Sequence, residues 1–172
     1  MTWGYKAVNP AVNTESVPFF EDANSGNSSG HSTSKTPEKL QAEVIGLMSQ
    51  LGGAAVRFEE VAWESKPKRY GYVIRFVLIN ADDSSVKCRI PLAALPLKQE
   101  TPVKRRQVLA QVLYAFRETL QGEINALRYR PGYAPFAAHI IEPESGKTLM
   151  EVIAERANLT SGAPLLPTGE QS

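Results

Sequence analysis

Three groups of residues in this chain have types and spacings that could do chemistry. Gly146-Lys147-Thr148 reproduces the closing letters of a phosphate-binding loop. Cys88 and His139 are a possible nucleophile and base. Two basic clusters, Lys66-Pro67-Lys68-Arg69 and Lys104-Arg105-Arg106, could meet phosphate. The loop reading fails on spacing. A phosphate loop places a glycine five positions before the Gly-Lys-Thr so that successive N–H groups can wrap the anion. Position 141 is Ile141. The same letters read fully as turn and cap: Glu144-Ser145-Gly146-Lys147 is turn chemistry, Thr148 is a helix N-cap, and Glu151 stands at capping-box distance. No nucleotide and no cofactor is expected.

Cys88 alternates with Val86 and Ile90 and therefore faces a core, where a thiol behaves as a small hydrophobe. Nothing nearby in sequence lowers its pKa or orients a base. His139, beside Ile140 and Ile141, reads as a structural histidine, and His31 lies in a polar tract. Glu59 and Glu60 point to opposite faces of a strand and cannot chelate together. Asp82-Asp83 belongs to a turn. A carboxylate site from Glu59, Glu64 and Glu118 has no spacing signature, so neither a metal nor a catalytic residue is assigned and the chain is expected not to be an enzyme.

The basic clusters carry more information. Lys104, Arg105 and Arg106 fall in the first turns of a helix begun by Thr101-Pro102. Cations there oppose the helix dipole at about 0.3–1 kcal/mol each when exposed, a penalty that a docked anion reverses. Lys66, Lys68 and Arg69 occupy a hairpin loop, where Tyr70, Tyr72 and Arg75 could add stacking. Tyr72 shares the face of Ile74 and Phe76, which favours a core position. Lys66, Lys68, Arg69, Arg75, Lys104, Arg105 and Arg106 are thus the candidate nucleic-acid contacts. Trp3, Tyr5, Phe19 and Phe20, with adjacent Glu21-Asp22, have the composition of a docking peptide for a protein partner.

The elements that must position these groups follow from periodicity. At 172 residues and 42% hydrophobic content the chain fits one domain with tails. No apolar run approaches the roughly 20 residues that span a bilayer, so no membrane partner is expected. The N-terminus lacks a secretory pattern, and the lone Cys88 excludes an internal disulfide and a multi-thiolate metal site. Residues 36–158 hold 17 Lys/Arg against 14 Asp/Glu, a mildly basic balance. Residues 1–35, ending in the polar tract Asn24–Ser34, read as a disordered tail, and 159–172 as another.

Thr36-Pro37 begins the ordered part with cap and first-turn proline. Leu40, Val44, Leu47, Met48 and Leu51 follow on one helical face until Gly52-Gly53. Three strand-like runs come next. Residues 55–64 alternate with a slip between Phe58 and Val61, which suggests a bulge. Residues 70–80 are apolar on both faces and read as the central strand, and 85–92 as a half-buried one with Pro91 near its exit. A long helix to about Arg128 carries a wide apolar stripe. Phe136–Glu142 suggests a further short strand before the Thr148-capped helix. This order predicts an α+β fold: a three- to four-stranded antiparallel meander packed by a long helix, with smaller helices at both ends.

The block Arg105-Arg106-Gln107-Val108-Leu109 through Leu120, with Gly122, Phe136, His139 and Glu144–Glu151, resembles small uncharacterised proteins of bacteriophages and other mobile elements over about residues 55–155. The resemblance implies an accessory protein acting in a bacterial host cytoplasm and transfers no catalytic residue. The long polar N-terminal segment departs from that pattern. Together these readings lead to a nucleic-acid-binding accessory protein, DNA or RNA, acting through the hairpin and helix-start cations. The alternative is an adaptor or inhibitor that binds a host or phage protein through its surface and N-terminal segment.

Overall fold

Thr36 opens the first helix as expected: its hydroxyl accepts the Lys39 N–H at 3.3 Å, and Pro37 takes the first position of α1, Pro37–Gln50. The computed structural model describes residues 17–64 and 66–156. After α1 come β1 (Gly53–Trp63), β2 (Arg69–Ile79) and β3 (Ser85–Ala93), then α2 (Pro102–Leu127) and α3 (Leu149–Arg156). The strands form an antiparallel meander in the order β1-β2-β3. The protein has an α+β fold in which this meander packs against the long helix α2, with α1 and α3 as the smaller helices.

Alternation along β2 divides the two sides of the sheet. Tyr70, Tyr72, Ile74 and Phe76 face a core that also takes Leu40, Val44 and Met48 from α1 and Leu109, Leu113, Phe116 and Leu120 from α2. Both helices therefore cover the same side, the helix face. Each of the larger apolar side chains buried here contributes about 1.5–3 kcal/mol by leaving water. Odd-numbered β2 residues point to the far face, where Val73 is fully buried and Trp63 is nearly so.

Three local expectations need correction. The irregularity in β1 lies between Ala54 and Arg57, next to Ala55 at φ 52°, and not between Phe58 and Val61. From Arg57 to Trp63 the register is unbroken, so Phe58 lies on the helix face and Val61 and Trp63 on the far one. The apolar pattern changes sides because both faces bury residues. Residues 136–142 form no fourth strand. Ala137–His139 is a 3-10 turn, and Ile140 and Ile141 make isolated bridges to Cys88 and Thr148.

The third correction concerns the expected tail at 1–35. Residues 1–16 lie outside the described residues, as do 157–172, but 17–35 pack on the domain. Phe20 sits in a 3-10 turn, Phe20–Asp22, and is buried with Ala94 and Val108. Its N–H donates to the Pro96 carbonyl at 2.8 Å. The His31 ring lies 4.6 Å from the Phe20 ring, and its Nε2 is 3.0 Å from the Phe20 carbonyl oxygen. Further on, Gln111 of α2 donates to the Ser29 carbonyl at 3.1 Å, and Gly30, at φ 74°, lies against Tyr114. The polar side chains of Asn24–Ser34 close turns instead of marking disorder: Asn24 Oδ1 accepts the Gly26 N–H and Asn27 Oδ1 the Asn24 N–H, each at 2.8 Å.

Gly71 marks the closest approach in the sheet. A Cβ there would lie 1.8 Å from the Leu92 carbonyl oxygen and 2.8 Å from the Trp63 ring. The clash is with backbone, which cannot rotate away. Gly71→Ala is expected to destabilise the fold by about 3 kcal/mol or more, read from urea unfolding; a loss below about 1 kcal/mol would show that β3 is free to shift.

Candidate nucleic-acid interface

The first turn of α2 begins with Thr101, whose Oγ1 accepts the Lys104 N–H at 3.2 Å, followed by Pro102. No acidic residue occupies this turn. Each of its three cations instead draws a carboxylate from a different part of the chain. Lys104 Nζ lies 3.0 Å from Glu21 in the N-terminal 3-10 turn. Arg105 donates to Glu60 of β1 at 2.9 Å, and its guanidinium lies 4.9 Å from the centre of the Tyr70 ring. Arg106 grips Glu38 of α1 through two bonds, 2.7 and 3.0 Å. The helix-start cations expected to await phosphate thus already have anions in the fold.

Glu21 is the most tightly held of the three carboxylates. Burial raises its pKa, but the Lys98 N–H, the Lys104 ammonium and the Gln99 N–H overcome this and hold it at about 2. The Arg106 bonds lower the Glu38 pKa, and Glu60 raises that of Arg105. Beside these pairs a groove of about 590 Å³ separates the starts of α1 and α2, lined by Glu38, Phe58, Glu60, Tyr72, Glu100 and Arg105 among others. Its walls carry both signs of charge. Tyr70 donates to Glu100 at its edge.

The hairpin cluster is not brought together. Lys66 is exposed, and Lys68 lies 5.1 Å from the Tyr70 ring centre and 3.8 Å from Glu64. Arg69 turns inward, donating to the Ala94 and Ala93 carbonyls at 2.7 and 2.8 Å; burial pushes its guanidinium down to about 10, so it stays charged at neutral pH. Arg75 cannot join Tyr70 and Tyr72, because those rings lie on the helix face and Arg75 on the far one.

The far face shows what strand periodicity alone left unassembled. Arg57 of β1 is directly opposite Arg75 of β2, which is directly opposite Arg89 of β3. Lys87 follows on the same side, opposite Val77. Arg75 pairs with Glu59 at 3.2 Å. Arg89 is buried and donates to Glu151 at 2.9 Å, while its Nε has no partner among the described residues. Arg57 and Lys87 are exposed, and no carboxylate among the described residues bonds to either. Directly opposed like charges destabilise a sheet by about 0.2–1 kcal/mol per pair. Shared odd parity in the three runs was the available sign; the pairing register that aligns them was not in the sequence.

The remaining chemical candidates take structural positions. Glu142-Pro143-Glu144-Ser145-Gly146 closes as a turn with Gly146 at φ 68° and its N–H on the Glu142 carbonyl. Thr148 and Glu151 form both bonds of a capping box, at 2.6 and 3.2 Å. Burial pushes the Cys88 thiol up to about 11 and lowers His139. Glu59, Glu64 and Glu118 each pair with a different cation, Arg75, Lys68 and Arg117. Among the described residues no cluster of His, Cys, Asp and Glu could hold a metal ion, and no helix is long and apolar enough to cross a membrane. Of the docking-peptide residues, Phe20 is buried in the domain, Lys98 Nζ lies 5.9 Å from the Phe19 ring centre, and Trp3 and Tyr5 lie outside the described residues. No protein-family model, curated protein or solved structure matches the chain.

The held-down Glu21 carboxyl has a pH signature. Its folded pKa of about 2 lies below the ordinary 4.5, so its stabilising effect is complete above 4.5 and lost as pH falls towards 2. Glu21→Gln is expected to lower stability at pH 7 and to flatten the decline between pH 4.5 and 2, followed by circular dichroism in urea. Parallel wild-type and variant curves across that interval would show that Glu21 is held no more tightly folded than unfolded.

Proposed function

We propose that the chain is an accessory protein of the phage or mobile-element kind that binds nucleic acid through its phosphate backbone. The contact surface in this proposal is the far face of the sheet, in place of the hairpin and the start of α2. One observation carries it: Arg57 and Lys87 are exposed on this face with no carboxylate bonded to either among the described residues, flanking a row in which Arg75 and Arg89 are already held by Glu59 and Glu151. Arg57 stands directly opposite Arg75, and a polyanion laid over the exposed Arg57 and Lys87 would offset that repulsion while releasing its own counterions. The helix-start cations support the reading less well, because Glu21, Glu38 and Glu60 already meet them. Backbone contact of this kind reads charge and spacing and implies little sequence preference.

A second reading, a protein-binding adaptor or inhibitor, is favoured by the groove between the starts of α1 and α2, whose mixed charges suit a polar peptide better than a phosphate chain.

Salt dependence separates the two. With Arg57→Gln/Lys87→Gln, the slope of log affinity against log salt is expected to flatten by two contacts' worth, about 1.8 on duplex DNA or about 1.4 on a single strand. Arg105→Gln/Arg106→Gln should leave the slope unchanged and lower stability by roughly 1 kcal/mol at most for each exposed pair lost. Fluorescence anisotropy with single- and double-stranded DNA and RNA at several salt concentrations measures the slopes, and urea unfolding the stability. Absence of binding at low salt, or a slope that moves with the α2 pair instead, would overturn the far-face assignment; absence of binding would favour the adaptor.

A further inference from the structure

β1 is an edge strand of 11 residues, longer than sheets usually leave at a border. One side of it bonds to β2; its outer backbone edge has no strand partner among the described residues. Natural edges are commonly blunted by bulges or by charges that repel an incoming strand. Here the irregularity lies between Ala54 and Arg57, and the three residues just beyond it, Arg57, Phe58 and Glu59, keep a regular register. The charges alternate in sign about Phe58: Arg57 precedes it and Glu59 follows, both exposed and both on the far face.

That order is self-complementary under a two-fold axis. We propose that β1 pairs antiparallel with β1 of a second copy of this chain, with Phe58 at the centre of the register. Arg57 then stands opposite Glu59 of the other copy, and Glu59 opposite the other Arg57, giving two reciprocal ion pairs on the far face. The Phe58 side chains meet on the helix face, where each already lies edge-on to Tyr72 at 6.0 Å. A shift of this register by two residues puts Arg57 opposite Arg57 or Glu59 opposite Glu59, so the charges select one alignment. An isologous contact of this kind closes at two copies and leaves the outer edges at the two β3 strands. The pairing requires no nucleic acid.

The test is charge exchange in the full-length chain, with self-association followed by sedimentation velocity and native mass spectrometry over a wide concentration range. The wild type is expected to dimerise. Arg57→Glu and Glu59→Arg should each weaken self-association roughly tenfold or more, because each sets like charges opposite one another. Mixed together, the two variants should form a heterodimer, since the carboxylate introduced in one chain then faces the guanidinium introduced in the other. Should either variant fail to fold, an oxidised mixture of Arg57→Cys and Glu59→Cys should still cross-link between chains far more than either alone, as directly opposed Cβ atoms are within disulfide reach. A wild type that stays monomeric, single variants that associate like the wild type, or mixtures showing no preference for the mixed species would each overturn the proposal.

Discussion

The arrangement of this protein depends on how the positive first turn of α2 is neutralised. Three adjacent cations at a helix N-terminus are an unfavourable local choice. Lys104, Arg105 and Arg106 nevertheless point in different directions, and each meets a carboxylate from a different neighbour: the N-terminal segment, β1 and α1. A local electrostatic conflict is resolved by tertiary contacts. An exposed pair by itself contributes little. What these pairs add is orientation, since all three are satisfied together only when the segment, the sheet and α1 take their observed positions around α2.

Much of the fold could be read from the chain because the local signals agreed with one another. Thr36-Pro37, Thr101-Pro102 and the Thr148–Glu151 box start helices where expected, and the apolar parity of residues 70–79 marks both the centre of the sheet and its two covered sides. The misplaced irregularity in β1 has a simple cause. Trp63 buries on the opposite side from Phe58, with Val61 half-buried beside it, so a change of apolar parity follows from a two-sided sheet without any break in register. Residues 17–35 escape a reading by composition, which does not reveal where a polar side chain finds its partner. Gln111 and Tyr114, which hold that segment, are more than 80 residues further along.

The candidate site was legible only as residue types. That Lys104, Arg105 and Arg106 sit at a helix start was evident; that Glu21, Glu60 and Glu38 would meet them was not, because those contacts span 83, 45 and 68 positions. The arginine row was hidden for a related reason. Each of Arg57, Arg75 and Arg89 looks ordinary on its own strand, and the alignment exists only once two registers are set. Arg89 illustrates how such a row stays stable. Its buried charge would be costly alone, and it is matched by Glu151, whose carboxylate also accepts the Thr148 N–H. One side chain therefore caps α3 and fastens it to β3.

The N-terminal segment has a consequence for how the protein comes off the ribosome. Phe20 is made long before the surface that buries it, since Ala94 and Val108 lie more than 70 residues downstream. The polar partners of the adjacent Glu21, at Lys98, Gln99 and Lys104, come equally late. At about 5–20 residues per second the nascent chain carries this aromatic uncovered for several seconds. Helix α1 and the meander can form their local contacts in that interval, but the segment must wait for α2 to emerge. Docking of the earliest part of the described chain is therefore among the last events of vectorial folding, and the flanking acidic and polar residues keep it solvated until then.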